Sequence, residues 1–239
     1  MFAWHTRPGA MPRLVPPWQP MNVLVETDSL AAGRAVLELP RQDAVGRAAQ
    51  PGRIPPPRRF VDELAFDGPL SWPPRVIGWW RHTHEFGYAV PGKTRVLDRV
   101  DTPVPAAALR STFVYRHRQL ADDLAAHRLA AEHGVRPLVV AVTGSSGLVG
   151  SALTAFLTSR GNQVIRLVRR PDRYPGERRW EAANPAPDLL TGVDATIDLA
   201  GASIAGRFAA GHKRARDSWI EPTRGQQADR TPQRGCAAP

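Results

Sequence analysis

Three glycines at a spacing of three, Gly144, Gly147 and Gly150, are the residues of this chain best arranged to do chemistry. A β-branched run, Val139 to Val142, reads as a buried parallel strand, and a helical pattern follows through Leu148, Leu153, Phe156 and Leu157. Strand, glycine turn and helix form the context of a dinucleotide-binding fingerprint, here a close variant of G-x-G-x-x-G. Gly144 would turn the chain, Gly147 would admit a pyrophosphate, and Gly150 would let the helix pack closely. Free N–H groups and the helix dipole favour an anion there.

Further on, Gly161 and Asn162 turn the chain into a second strand, Gln163 to Val168, completing a right-handed βαβ unit. Arg169 and Arg170 stand at its end. An acidic residue there would accept from the ribose of NAD, whereas basic residues suit the extra phosphate of NADP, to which Ser145 adds a hydroxyl. NADP is therefore expected, with NAD as the alternative. A short strand is expected at Arg179 to Glu181, and a third parallel strand, Ala195 to Leu199, ends in small residues at the edge where adenosine and ribose pass.

Other candidates carry less. His82 and His84 share a strand face, but no third ligand at suitable spacing is evident, so no metal is expected. Trp79 and Trp80 point to opposite faces, with at least one expected in the core. Asp122 and Asp123 diverge on a helix and make no catalytic pair.

The elements that position these residues fall into two domains. In residues 1–135, Phe2 and Trp4 open the chain in a helix, and prolines punctuate the turn that follows. Strands are expected at Asn22 to Thr27, Arg34 to Leu39, Phe60 to Phe66, Val76 to Phe86 and Thr94 to Thr102, with Arg41 to Pro57 a loop. Short connections imply an antiparallel meander. A helix from Pro105 to about His133 closes the domain, with Leu109, Phe113, Leu120 and Leu124 on its apolar stripe. Arg110, Arg116, Arg118, Asp122, Asp123 and Arg128 fall mostly off that stripe, and Gly134 ends the helix.

This first domain resembles the helix-grip fold of the START and polyketide-cyclase superfamily (SRPBCC). The phrases that carry the resemblance are Phe2 to Gly9, Pro16 to Pro20, Arg81 to Phe86 and Tyr115 to Leu124. The likeness implies a cavity for a hydrophobic ligand, and a first edge strand that this chain lacks. Val142 to Gly150, Arg166 to Arg170, Gly192 to Ile204 and Lys213 to Ile220 resemble the NAD(P)-dependent epimerase/dehydratase family. The closer likeness is to its sugar-nucleotide epimerase-like branch of the short-chain dehydrogenases/reductases. Trp219 departs from it, standing where that family usually carries arginine.

That resemblance implies cofactor contacts at Thr143, Gly144, Ser145, Ser146, Gly147, Leu148, Val149, Gly150, Arg169, Arg170, Leu199, Ala200 and Gly201. It implies a Tyr–Lys pair for catalysis as well, the lysine lowering the tyrosine pKa. The only tyrosines are Tyr88, Tyr115 and Tyr174, and Gly92, Gln119 and Arg178 stand four residues on. No catalytic residue is expected in this chain. The likeness stops at Arg224, and residues 225–239 read as a disordered tail, as a truncated or frameshifted frame would give. The expectation is thus an α+β helix-grip domain followed by a Rossmann-like α/β half-domain over 136–224. Its function would be that of a catalytically incomplete NAD(P)-binding oxidoreductase or epimerase, acting on an unidentified small molecule. The alternative is a non-enzymatic module for hydrophobic ligands.

Composition agrees with a globular chain: 239 residues, 42% of them apolar. The net charge of +10 invites nucleic acid, but it comes from scattered arginines, with only Lys93 and Lys213 as lysines. No nucleic-acid or membrane partner is expected. One cysteine, Cys236, and the lack of a signal-like start fit the cytoplasm.

Overall fold

A computed structural model describes residues 1–19, 22–25, 34–39, 42–49, 58–65, 79–181 and 183–201. Expectations for Pro20, the triple proline, Phe66, Val76 to Gly78 and everything beyond Gly201 lie outside these residues.

Two short helices open the chain, α1 (Phe2–His5) and α2 (Ala10–Leu14). Six strands then pair antiparallel in chain order: β1 (Asn22–Val25), β2 (Arg34–Leu39), β3 (Gln42–Ala49), β4 (Arg58–Ala65), β5 (Arg81–Val90) and β6 (Lys93–Asp101). The meander is as expected, but β3 occupies part of the stretch read as loop. Its composition is weak for a strand; backbone pairing to β2 on one side and β4 on the other overrides that local preference. β5 begins at Arg81 rather than Val76, leaving Trp79 58% exposed and Trp80 half-buried, so neither tryptophan is core.

Helix α3 (Ala106–Glu132) follows, with Pro105 as its N-cap and Gly134 in the left-handed region just beyond it. Its buried face differs from the expected stripe: Thr112, Leu120 and Asp123 are covered. Leu120 packs with Trp4, Ala10 and Leu14, with Leu124 against them. Asp123 can sit there because Arg13 donates to it through two bonds of 2.8 and 2.6 Å, and Gln119 through a third of 2.8 Å.

The second half is a parallel sheet of β7 (Val139–Thr143), β8 (Gln163–Val168), β9 (Glu177–Arg179) and β10 (Ala195–Ile197), in the order β10-β7-β8-β9. This is the order of the first four strands of a doubly wound nucleotide-binding sheet. β9 lies two residues earlier than expected and pairs with β8, and β10 ends at Ile197. Ala141, Ile165, Leu167 and Leu189 form the core, with Trp180 against them.

Helix α4 (Leu148–Arg160) crosses between β7 and β8. Leu148 is not part of its apolar face but 91% exposed, because the first turn projects off the sheet. The helix buries small residues instead, Thr154, Ala155 and Ser159. That small-residue face lets α2 come close. Gly9, the N-cap of α2 at φ +87°, sits where a Cβ would strike the backbone of Ala155 and the hydroxyl of Thr158. The opening residues therefore lie between α3 and α4 and tie the two halves together.

Candidate functional site

Gly144 ends β7 at φ +61°, and a Cβ there would overlap the carbonyl of Leu199. A Cβ on Gly150 would overlap the carbonyl of Gly144, so both glycines are required by close backbone approach. Gly147 is the N-cap of α4; its N–H closes the loop onto Gly144 O at 3.0 Å, and its own carbonyl accepts from Ser151 N at 2.8 Å. No side chain caps this helix. By helix geometry the N–H groups of Leu148, Val149 and Gly150 have no intrahelical acceptor, which makes this end a place for an anion.

The loop borders a cleft of about 1180 Å³. The structure brings Gly144, Ser145, Ser146 and Gly147 together there with Arg169 and Arg170 at the end of β8, and with Leu199, Ala200 and Gly201 after β10. Thr143, Leu148, Val149 and Gly150 are not on its wall. Thr143 is buried instead, pairing with Asp198 and accepting the N–H groups of Leu199 and Ala200, each at 3.0 Å. It holds the β10 loop against the glycine loop.

Three features in or directly behind this cleft were missed from sequence. Asp198 is one, although its phrase with Leu199, Ala200 and Gly201 was noted. The opposite wall is another, built by Pro8, Gly9, Pro12 and Pro16 from the N-terminal segment. Glu177 is the third: it accepts from Arg170 at 2.8 and 2.6 Å and from the backbone N–H of Arg173 at 3.0 Å. The Arg170 guanidinium, with that N–H, holds the Glu177 carboxyl down to about 2. Arg170 is therefore already paired beside the cleft.

A second polar cluster lies between the antiparallel sheet and α3. The register sets Asp62 opposite His82, and His84 opposite Asp98. Both histidines are buried, at 3% and 2% exposure. His84 Nε2 lies 3.1 Å from Asp62 Oδ2, and His117 on α3 reaches Asp98 Oδ2 at 2.7 Å. Burial pushes His82 down to about 4 and His5 to about 4. Burial also opposes charge on His84, but its carboxylate partners Asp62 and Asp98 outweigh it and raise the pKa. Arg116 is on this side of α3 rather than off it, and burial lowers its pKa against the pull of Asp98 and Asp62. Phe60 stacks on His84 with centroids 4.1 Å apart, and Phe113 meets His82 edge-on at 5.2 Å.

No family model matches the chain. An epimerase family protein of Mycobacterium tuberculosis is 46% identical over 89 residues, 36% of this chain and 30% of that protein. The human epimerase family protein SDR39U1 is 38% identical over 65 residues, 27% of this chain and 21% of its own length. The matched stretches thus span less than a third of these curated relatives. A solved structure described as a nucleoside-diphosphate sugar epimerase from Corynebacterium glutamicum superposes with a TM-score of 0.75 at 38% identity. That superposition covers 94% of this chain and 47% of the other. No described helix is long and apolar enough to cross a membrane. The likenesses are thus to proteins named as epimerases, over part of their length.

Proposed function

We propose that the parallel-sheet half binds a nicotinamide dinucleotide, NADP in preference to NAD, as part of an oxidoreductase or epimerase of the epimerase/dehydratase kind. One observation carries this reading. The glycine loop up to Gly147, the N-cap of α4, the end of β8 and the loop after β10 all line one cleft. The fit is local and physical. At Gly147 a Cβ would meet only Gly144 O, at 3.3 Å, and so would otherwise project into open space of the kind a pyrophosphate needs. The pyrophosphate falls to the N–H groups at the start of α4, the ribose and its 2′-phosphate to Arg169, Arg170 and Ser145, and the adenosine edge to Leu199, Ala200 and Gly201. When bound, the nicotinamide exchanges a hydride with substrate; this chain's residues bind and orient it, and none is assigned a catalytic role. The antiparallel half we read as a helix-grip domain, from its meander followed by one long helix.

Calorimetric titration of the full chain with NADPH and with NADH tests the reading. NADPH is expected to bind several-fold more tightly, and Arg170→Ala to narrow the gap. Equal affinities would refute the NADP preference, and no heat with either would refute dinucleotide binding.

A further inference from the structure

The cluster between sheet and α3 has a geometry that hydrogen bonding leaves unfinished. His84 Nδ1 lies 2.7 Å from Asp98 Oδ1, and His82 Nε2 lies 3.4 Å from the same oxygen. All three atoms are buried, yet none has a partner in hydrogen-bonding alignment. Buried polar atoms are ordinarily paired, and three orphans that converge on one point call for a missing partner. The 3.4 Å separation is that of neighbouring ligands on one ion, whereas the 2.7 Å contact of His84 with Asp98 is shorter, at the length of a hydrogen-bonded ion pair that an ion would have to open. Donors about 2.1 Å from a metal stand roughly 2.9 to 3.4 Å apart in octahedral or tetrahedral arrangement.

The surroundings offer His84 and Asp98 an orienting partner each. With an ion at the centre His84 would be neutral, and Asp62 accepting from its Nε2 would then keep the proton there and leave the Nδ1 lone pair toward Asp98. A carboxylate behind a histidine in this way orients a metal ligand and raises its basicity. His117 donates to the other oxygen of Asp98 at 2.7 Å, leaving Oδ1 for the centre. Among the described residues, Asp62, His82 and His84 have ligand atoms within 4.8 Å of one another, a group that shares both histidines with this centre but has Asp62 in place of Asp98.

We propose that His82 Nε2, His84 Nδ1 and Asp98 Oδ1 bind a divalent transition-metal ion, oriented by Asp62 and His117, between the antiparallel sheet and α3. Two imidazoles and a carboxylate are borderline donors, suited to Zn2+, Co2+ or Fe2+ and poorly suited to Ca2+ or Mg2+, which prefer oxygen throughout. The site is separate from the glycine-loop cleft. It stands whether or not the cleft binds a dinucleotide.

The test uses the full chain carrying Cys236→Ser, so that the one thiol cannot contribute. After chelator treatment the protein is titrated with Co2+, followed by its visible absorption, and then challenged with Zn2+. One equivalent is expected to bind and Zn2+ to displace it. Asp62→Asn is expected to weaken binding about 10- to 100-fold, and His82→Gln or Asp98→Asn to weaken it further. X-ray absorption of the Co2+ form is expected to show two imidazoles, a reading that needs no variant to fold. Absence of saturable binding would overturn the proposal and leave a protonated His84 bridging two carboxylates. So would fewer than two imidazoles, or binding unchanged in folded His82→Gln and Asp98→Asn proteins.

Discussion

Arg7 Nη1 donates to the main-chain oxygen of Arg160 at 2.7 Å, and to that of Ser159 at 3.2 Å. A cation from the start of the chain thereby closes the C-terminal end of α4, where the helix dipole is negative and carbonyls lack partners. Arg7→Ala should cost about 1–2 kcal/mol of stability by these terms. Urea denaturation checks it, and an unchanged midpoint would show that the contact contributes nothing.

Gly9 should be less forgiving. Its φ of +87° disfavours any side chain, and a Cβ has no room against Ala155 and Thr158. Gly9→Ala should destabilise by about 3 kcal/mol, combining left-handed strain with overpacking. A thermal melt within a degree of wild type would contradict the close approach of α2 and α4.

Arg13 and Asp123 form the buried pair that fastens α2 to α3, with the Asp123 side chain 2% exposed. Removing either partner should cost about 2–3 kcal/mol, below the value for a fully buried pair because Arg13 is a fifth exposed and Gln119 still donates. A double-mutant cycle with Arg13→Ala and Asp123→Ala should show coupling of about 1–3 kcal/mol. Additive losses would mean that the two act independently.

Acid should loosen the loop beside the cleft. Glu177 has its pKa lowered to about 2 in the folded chain by Arg170 and the Arg173 N–H. A depressed carboxyl stabilises above its unfolded pKa of about 4.3 and loses that contribution as pH falls toward its folded value. Hydrogen exchange in residues 170–179 should therefore quicken, relative to the rest of the sheet, between about pH 4.5 and 2. Glu177→Gln should abolish that pH dependence. It should also free Arg170 and strengthen NADPH binding relative to NADH.

What the sequence made legible was local. The turn from Thr143 to Gly150 is specified within eight residues by a β-branched strand, glycines and a helix start, and Gly144 and Gly150 take the turning and close-packing roles their spacing implied. Long-range pairing was not legible. Asp62 meets His82 and His84 only through the register of β4 on β5, and Asp98 only through β6 on β5, so spacing along the chain hid both carboxylates. Asp123 was placed on the solvent side because a charge breaks an apolar stripe, and nothing nearby announces Arg13, 110 residues away. β3 was lost for the same reason, its pairing being supplied by neighbours rather than by its own composition.

The central claim is that the loop from Gly144 to Gly150 holds a dinucleotide, and NADPH fluorescence with Gly147→Asp tests it most directly. Aspartate is a favourable N-cap at the φ of −74° found there, so the helix should form. Its charge would stand where the pyrophosphate belongs. Wild type should saturate with NADPH, and a folded Gly147→Asp chain should bind at least about tenfold more weakly, the equivalent of roughly 1.4 kcal/mol. Equal affinity in the two proteins, or no saturation of wild type at millimolar NADPH or NADH, would contradict the assignment.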